Sequence, residues 1–186
     1  MVLAADSMQD RSGSFDLVTG AKDCDYDEVC ASDLFRVTSE GQMKEELVEL
    51  VDKTGVSDKF IFTGTVPYEE VPKYINASDV CVVPKRPLKS GYSPLKLYEY
   101  MACGEPIVAS RINGFEILEQ QNAGILVEPE NPEELAKAII KLLKDEKLRE
   151  EMGKNGREYV VKHHSWESVA RKVAEVCESA IREYKK

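Results

Sequence analysis

The run DVCVVP, residues 79–84, places four apolar residues in a row between an aspartate and a proline. A strand with one wet face alternates apolar and polar side chains, so an unbroken run points to a strand covered on both faces, as in a parallel sheet with helices on either side. Its neighbours agree with that reading. LFRV (34–37), KFIFTG (59–64), residues 106–109 and residues 124–127 are further short β runs, and helical patterns separate them. Met43, Leu47, Leu50 and Val51 fall at helical spacing before Gly55 stops them, and a short helix is expected around residues 72–75.

Three helices follow the last strand. NPEELAKAIIKLL begins with Asn131 as N-cap, Pro132 in the first turn and Glu134 placed to reach back as in a capping box. A charge-mixed helix covers residues 146–163. Ser165 then caps a final helix with an apolar stripe of Val169, Val173, Val176, Ala180 and Tyr184, which Trp166 is expected to anchor in a packing groove. The expected architecture is α/β: a Rossmann-like, mostly parallel sheet flanked by helices, with extra C-terminal helices. Residues 1–33 read as an irregular segment whose one β run is FDLVT, and residues 34–186 as the domain proper.

With 34 acidic against 25 basic residues, the net charge of −9 argues against a broad nucleic-acid or anionic-lipid surface, while leaving room for a local anion site. No stretch approaches the ~20 apolar residues of a membrane span, and residues 1–10 have neither a basic nor a sustained apolar leader, so a cytoplasmic location is expected. Cys24, Cys30, Cys81, Cys103 and Cys177 are odd in number and form no CxxC pair. They read as reduced, mostly buried thiols rather than a disulfide framework or a zinc site.

The segment of residues 85–110, KRPLKSGYSPLKLYEYMACGEPIVAS, sets a polar, glycine-containing loop between a strand and a helix. Ser93 is placed as N-cap and Pro94 as first helical residue. Loop amides from Gly91 to Leu95 and the helix start would then converge at the carboxyl edge of the sheet, where phosphates and other anions bind in such folds. On local sequence alone an ordinary helix start is the commoner meaning of Ser-Pro. Glu99 lies one turn further on the face of Leu95, where a carboxylate can accept hydrogen bonds from a ribose diol.

SPLKLYEYMACGEPIVAS, then NGFEILEQQNAGILVEPENPEELAKAI and HSWESVA, resemble the C-terminal half of the retaining, GT-B-fold group 1 glycosyltransferases. FIFTGTVPYEEVPKYINASDVCVVP fits the same pattern, and the resemblance runs over residues 34–181. It implies a domain that binds a nucleotide-sugar donor, a UDP- or GDP-sugar, with no cofactor and no metal required. By the resemblance, Glu99 contacts the ribose, amides around Gly91, Tyr92, Ser93 and Leu95 hold the diphosphate and sugar, and the turn at Gly64, Thr65 and Val66 lies beside the base. The acceptor-binding domain that completes such an enzyme is missing from these residues and is the partner implied.

Two features depart from the family pattern. Members commonly carry a second glutamate eight positions before the one matching Glu99, and that position here is Gly91; a related S-P-L-K subgroup also lacks it. An Arg and a Lys usually follow the first strand, whereas here the matching stretch is LVTGAKD, with Lys22 the only candidate, and Lys85, Arg86, Lys89 and Lys96 are near enough in sequence to help neutralise phosphate. His163 and His164 face different ways on a helix and read as surface, Asp23, Asp25, Asp27 and Glu28 as solvated charge without calcium-loop spacing, and Glu116 as a helix cap or a ligand. The reading is the nucleotide-sugar-binding half of a glycosyltransferase. Its rivals are a non-catalytic nucleotide or phosphate sensor and a purely structural domain.

Overall fold

A computed structural model describes residues 1–4, 18–19, 35–37, 44–89 and 92–184. Six strands, β1 (Val2–Ala4), β2 (Phe35–Val37), β3 (Phe60–Phe62), β4 (Val80–Val83), β5 (Ile107–Ser110) and β6 (Gly124–Val127), form one sheet in the order β3-β2-β1-β4-β5-β6. All five pairings among the described residues are parallel. The order reverses between β1 and β4, and in open sheets of this kind the crevice outside the carboxyl ends of the strands at the reversal is where ligands sit.

The first strand is not where FDLVT suggested. Val18 and Thr19 are helical, with Val18 fully buried in the same core cluster as Val2 and Phe35, while Val2–Ala4 pairs with both β2 and β4. Three residues carry no readable period, so only pairing on both sides reveals this strand.

Alternation along the central strands divides the core into two layers. Val80, Val82 and Val108 face α1 (Lys44–Thr54) and α5 (Pro132–Lys144), meeting Leu47, Val51, Leu135, Ile139 and Leu142. Cys81, Val83, Ile107 and Ala109 face the other way, toward Ile75 of α2 (Val71–Asn76), Leu97, Tyr100 and Met101 of α3 (Leu95–Cys103) and Leu118 of α4 (Ile117–Gln120). Since α2 and α3 each follow a strand and return across this same face, both helices begin at the carboxyl edge of the sheet.

Asn131 caps α5 as its sequence indicates, its Oδ1 accepting from the Glu134 amide at 3.0 Å, with Pro132 in the first turn. The Glu134 carboxylate reaches the Glu128 amide and the Asn131 side chain, both at 3.2 Å, so the capping box is a variant one. α6 (Glu146–His163) lies on α3 by backbone approach. A Cβ on Gly153 would fall inside the Gly104 carbonyl, Gly156 faces Met101, and the Arg157 guanidinium donates to the Ala102 carbonyl at the end of α3.

α7 (Trp166–Tyr184) is capped by Ser165, whose Oγ accepts from the Ser168 amide at 3.2 Å. None of its residues is buried, and Trp166 is 90% exposed. The expected packing groove is therefore absent from the described residues: the stripe that would demand one points into solvent. No helix among the described residues is long and apolar enough to cross a membrane.

Candidate functional site

Pro84 ends β4 and opens the loop that leads to α3. Contacts on both limbs hold this loop against the next strand connection, the Tyr92 amide donating to the Asn113 carbonyl at 3.5 Å among them. The Lys85 amide donates to Ser110 Oγ at 2.8 Å, where Ser110 is a buried polar residue at the end of β5. On the returning limb, the Tyr92 ring packs against Phe115 with centroids 6.2 Å apart, and Lys85 Nζ lies 5.7 Å from the same ring.

Asn113 and Gly114 form the turn that the loop leans on. Gly114 has φ +97°, and a Cβ there would lie 2.7 Å from the Tyr92 carbonyl oxygen, so both the backbone angle and the approach require glycine. The Gly114 amide donates to Glu116 Oε2 at 2.9 Å, which gives Glu116 a turn-closing role. Ser110, Gly114 and Phe115 were not among the site residues expected from sequence; the Asn-Gly pair marks a turn, but its contact with a loop twenty residues earlier has no local signature.

The start of α3 differs by one residue from expectation. Pro94, with φ −79° and ψ 17°, occupies the cap position; Ser93 is exposed, and no side chain among the described residues bonds the first-turn amides. The first helical hydrogen bond runs from the Tyr98 amide to the Pro94 carbonyl at 3.1 Å. With Pro94 itself at the cap position, and a proline side chain having no acceptor to offer, the helix opens without a side-chain cap among the described residues. Unpaired first-turn amides together with the helix dipole favour an anion at this point.

Glu99 stands one turn further along, half-exposed, and Lys96 Nζ bonds its Oε2 at 2.8 Å. Two expected site residues are thus brought together, with Lys96 already orienting the carboxylate. Of the other cations, Arg86 pairs with Glu130 at 3.1 Å, and Lys89 is exposed. Glu130 holds φ +58°, a strained value for a residue with a Cβ.

At the end of β3, Gly64 is buried with φ +71°, Thr65 is exposed and Val66 half-buried. The Thr63 amide donates to the Val37 carbonyl at 3.1 Å, fastening this turn to β2. It shares the carboxyl edge with the start of α3. Lys22 and Gly91, like Asp23, Asp25, Asp27 and Glu28, lie outside the described residues.

Elsewhere, the histidines are not the free surface pair expected. His164 stacks on Tyr98 at 4.1 Å and His163 packs on Tyr159 at 4.9 Å, both half-buried. Burial, with Lys172 and His163 near, holds the His164 imidazole below its ordinary value. Of the described cysteines, Cys81 is buried, Cys103 half-buried and Cys177 exposed, all free; burial raises the Cys81 and Cys103 thiols, so neither is primed as a nucleophile. No group of His, Cys, Asp or Glu among the described residues could hold a metal. A polar cleft of about 290 Å³ beside Ser78, Asp79, Glu105 and Arg149 lies at the opposite edge, where burial and then Asp79 push Glu105 up to about 7.

The family model for group 1 glycosyl transferases matches residues 33–159, more than half of the chain. The chain belongs to this family. An uncharacterized glycosyltransferase of Methanocaldococcus jannaschii is 31% identical over 148 residues, 78% of this chain and 37% of its own length. The Anabaena protein HepE, solved in complex with UDP and glucose, superposes with a TM-score of 0.82 at 19% identity over 96% of this chain and 48% of that one. A C-terminal domain of a group 1 family protein from Francisella tularensis, solved by itself, superposes at TM-score 0.74 and 22% identity, over 89% of this chain and 86% of that domain. This group 1 chain spans well under half of the curated relative, and the fold is that of one half of a GT-B glycosyltransferase.

Proposed function

We propose that this chain is the donor-binding half of a retaining glycosyltransferase, taking a nucleoside-diphosphate sugar and delivering the sugar to an acceptor held by a second domain. The observation that carries the reading is the uncapped start of α3 beside the β1/β4 reversal, with the Glu99 carboxylate one turn away. First-turn amides of α3 take the diphosphate, Glu99 takes the ribose hydroxyls, and the Gly64, Thr65 and Val66 turn meets the base through main chain. That HepE, which shares this fold, was solved with UDP supports a nucleotide ligand. The exposed stripe of α7 and the short span relative to the curated relative support an acceptor half that covers that stripe.

Catalysis in such an arrangement is positioning plus stabilisation of the departing diphosphate, both of which α3 amides and the cations Lys85, Arg86, Lys89 and Lys96 can supply. Glu99→Gln weakens nucleoside-diphosphate affinity by about 1.5–3 kcal/mol, the scale of a hydrogen bond to a charged group. Calorimetry with UDP, GDP and ADP measures it, and 2′,3′-dideoxy nucleotides should show no such loss. Silence with all three up to millimolar concentrations would count against the donor site.

Alone, the chain binds donor but does not transfer sugar, because acceptor alignment contributes roughly 7–11 kcal/mol of barrier lowering in such reactions. Mass spectrometry of acceptor pools decides the point: a glycosylated product made by residues 1–186 alone overturns the half-enzyme reading. A non-catalytic nucleotide sensor is the second reading, favoured by Gly91 standing eight positions before Glu99. Transfer by a fusion to an acceptor domain would exclude it.

A further inference from the structure

The corner between α6 and α7 falls at His164 and Ser165, and it is built onto the site helix rather than onto solvent. The His164 ring lies against Tyr98 of α3, centroids 4.1 Å apart and planes 26° apart. Its Nε2 is 3.2 Å from the Tyr159 hydroxyl, and its own amide donates to the Val160 carbonyl at 2.8 Å, closing the last turn of α6. The ring is thereby fixed from two sides.

Tyr98 is the residue whose amide makes the first hydrogen bond of α3, and it directly precedes Glu99. That turn has no side-chain cap. A helix end without a cap frays unless tertiary packing holds it, and the His164 ring supplies a packing contact at the one residue that closes the turn.

We propose that His164 is a positioning residue for the donor: acting through Tyr98, it holds the first turn of α3 in the geometry that receives the diphosphate, and so couples the departure of α7 to the nucleotide site. This rests on the donor reading above for its ligand and on ring geometry alone for its effect on α3. An aromatic pair at this separation corresponds to a change of roughly two- to tenfold in an equilibrium constant.

Two measurements test it. In ligand-free protein, hydrogen exchange at the Tyr98 and Glu99 amides should rise roughly two- to tenfold in His164→Ala, with β4 and β5 amides unchanged. In calorimetry, the same variant should lose affinity for UDP, or for GDP, by a similar factor while uridine and guanosine bind as in the wild type, because only the phosphates meet the α3 amides. His164→Phe, which keeps a ring over Tyr98, should restore both. Unchanged exchange at Tyr98, an equal loss for nucleoside and nucleotide, or a His164→Phe variant as impaired as His164→Ala would each overturn the proposal. If His164→Ala does not fold, Tyr98→Leu removes the other ring and carries the same expectations. A wild-type protein that binds none of UDP, GDP and ADP sinks the donor reading, and the exchange experiment then decides the positioning role by itself.

Discussion

α5, of 13 residues, and α7, of 19, are both capped and both strongly amphipathic, yet one is sunk in the core while the apolar stripe of the other is left uncovered by the described residues. In α5, Leu135, Ile139 and Leu142 are essentially buried against Val80, Val82 and Val108. In α7, Val173, Val176, Ile181 and Tyr184 are all more than half exposed. The pair teaches that an apolar stripe states a demand for cover without saying what supplies it. For α5 the sheet supplies it; for α7 nothing among the described residues does.

The largest expected effect separates the two helices directly. Leu142→Ala should cost about 2–5 kcal/mol in urea unfolding, the usual range for truncating a fully buried leucine, whereas Val176→Ala should stay within about 0.5 kcal/mol, as surface changes do. A costly Val176→Ala in the isolated chain would mean that α7 is packed after all. Appearance of that cost only after an acceptor domain is fused would instead identify what covers the stripe.

Next in size is a pH effect confined to the packed side. Arg149 of α6 donates to the Leu142 and Leu143 carbonyls at 2.8 and 2.7 Å, closing the end of α5, and it is the cation that partly offsets the raised pKa of Glu105. Because Glu105 titrates near 7 in the folded chain against an ordinary 4.5, folding favours its protonated form. That contribution is complete below pH 4.5 and is lost as pH rises through about 7. Glu105→Gln should therefore stabilise the chain above pH 7, by about 1–2 kcal/mol once solvent screening of a half-buried group is allowed for, and the gain should vanish toward pH 4. Thermal melts across that interval check it; a gain independent of pH would show that the carboxyl is not the titrating group.

The smallest effect concerns the caps. Asn131→Ala should lower global stability by about 1 kcal/mol, because α5 unfolds with the core it covers. Ser165→Ala removes an equivalent cap from α7 but should leave the global melting temperature nearly unchanged and appear as faster amide exchange in the first turn of α7. Equal global losses from the two variants would erase the distinction between the helices.

Much of the layout of the candidate site was legible in the sequence because its signals are local. Four apolar residues before Pro84, a polar glycine loop, and a helix carrying Glu99 one turn in are consecutive in the chain. Consecutive residues report backbone preference and periodicity faithfully. Where the reading slipped, the deciding contact was distant or the element was too short. Ser93 was expected to cap α3 and does not, since the angles at Pro94 push the cap position one residue along. The Lys96 and Glu99 side chains were assigned to phosphate and ribose separately, and the structure shows them bonded to one another, as helix spacing of three allows.

By itself the sequence determined the strands from β2 to β6, the caps of α5 and α7 and the parallel α/β class, all of which follow from turn chemistry and hydrophobic period within a dozen residues. Only the tertiary structure decided that Val2–Ala4 is a central strand while Val18 and Thr19 are helical, that Gly114 must lack a side chain because Tyr92 comes so near, that His164 lies on Tyr98, and that Trp166 has no groove to fill. Each of those outcomes depends on which surfaces meet across long stretches of chain. Burial energy is set by the partner as much as by the residue, and a residue's own neighbours in sequence do not reveal that partner.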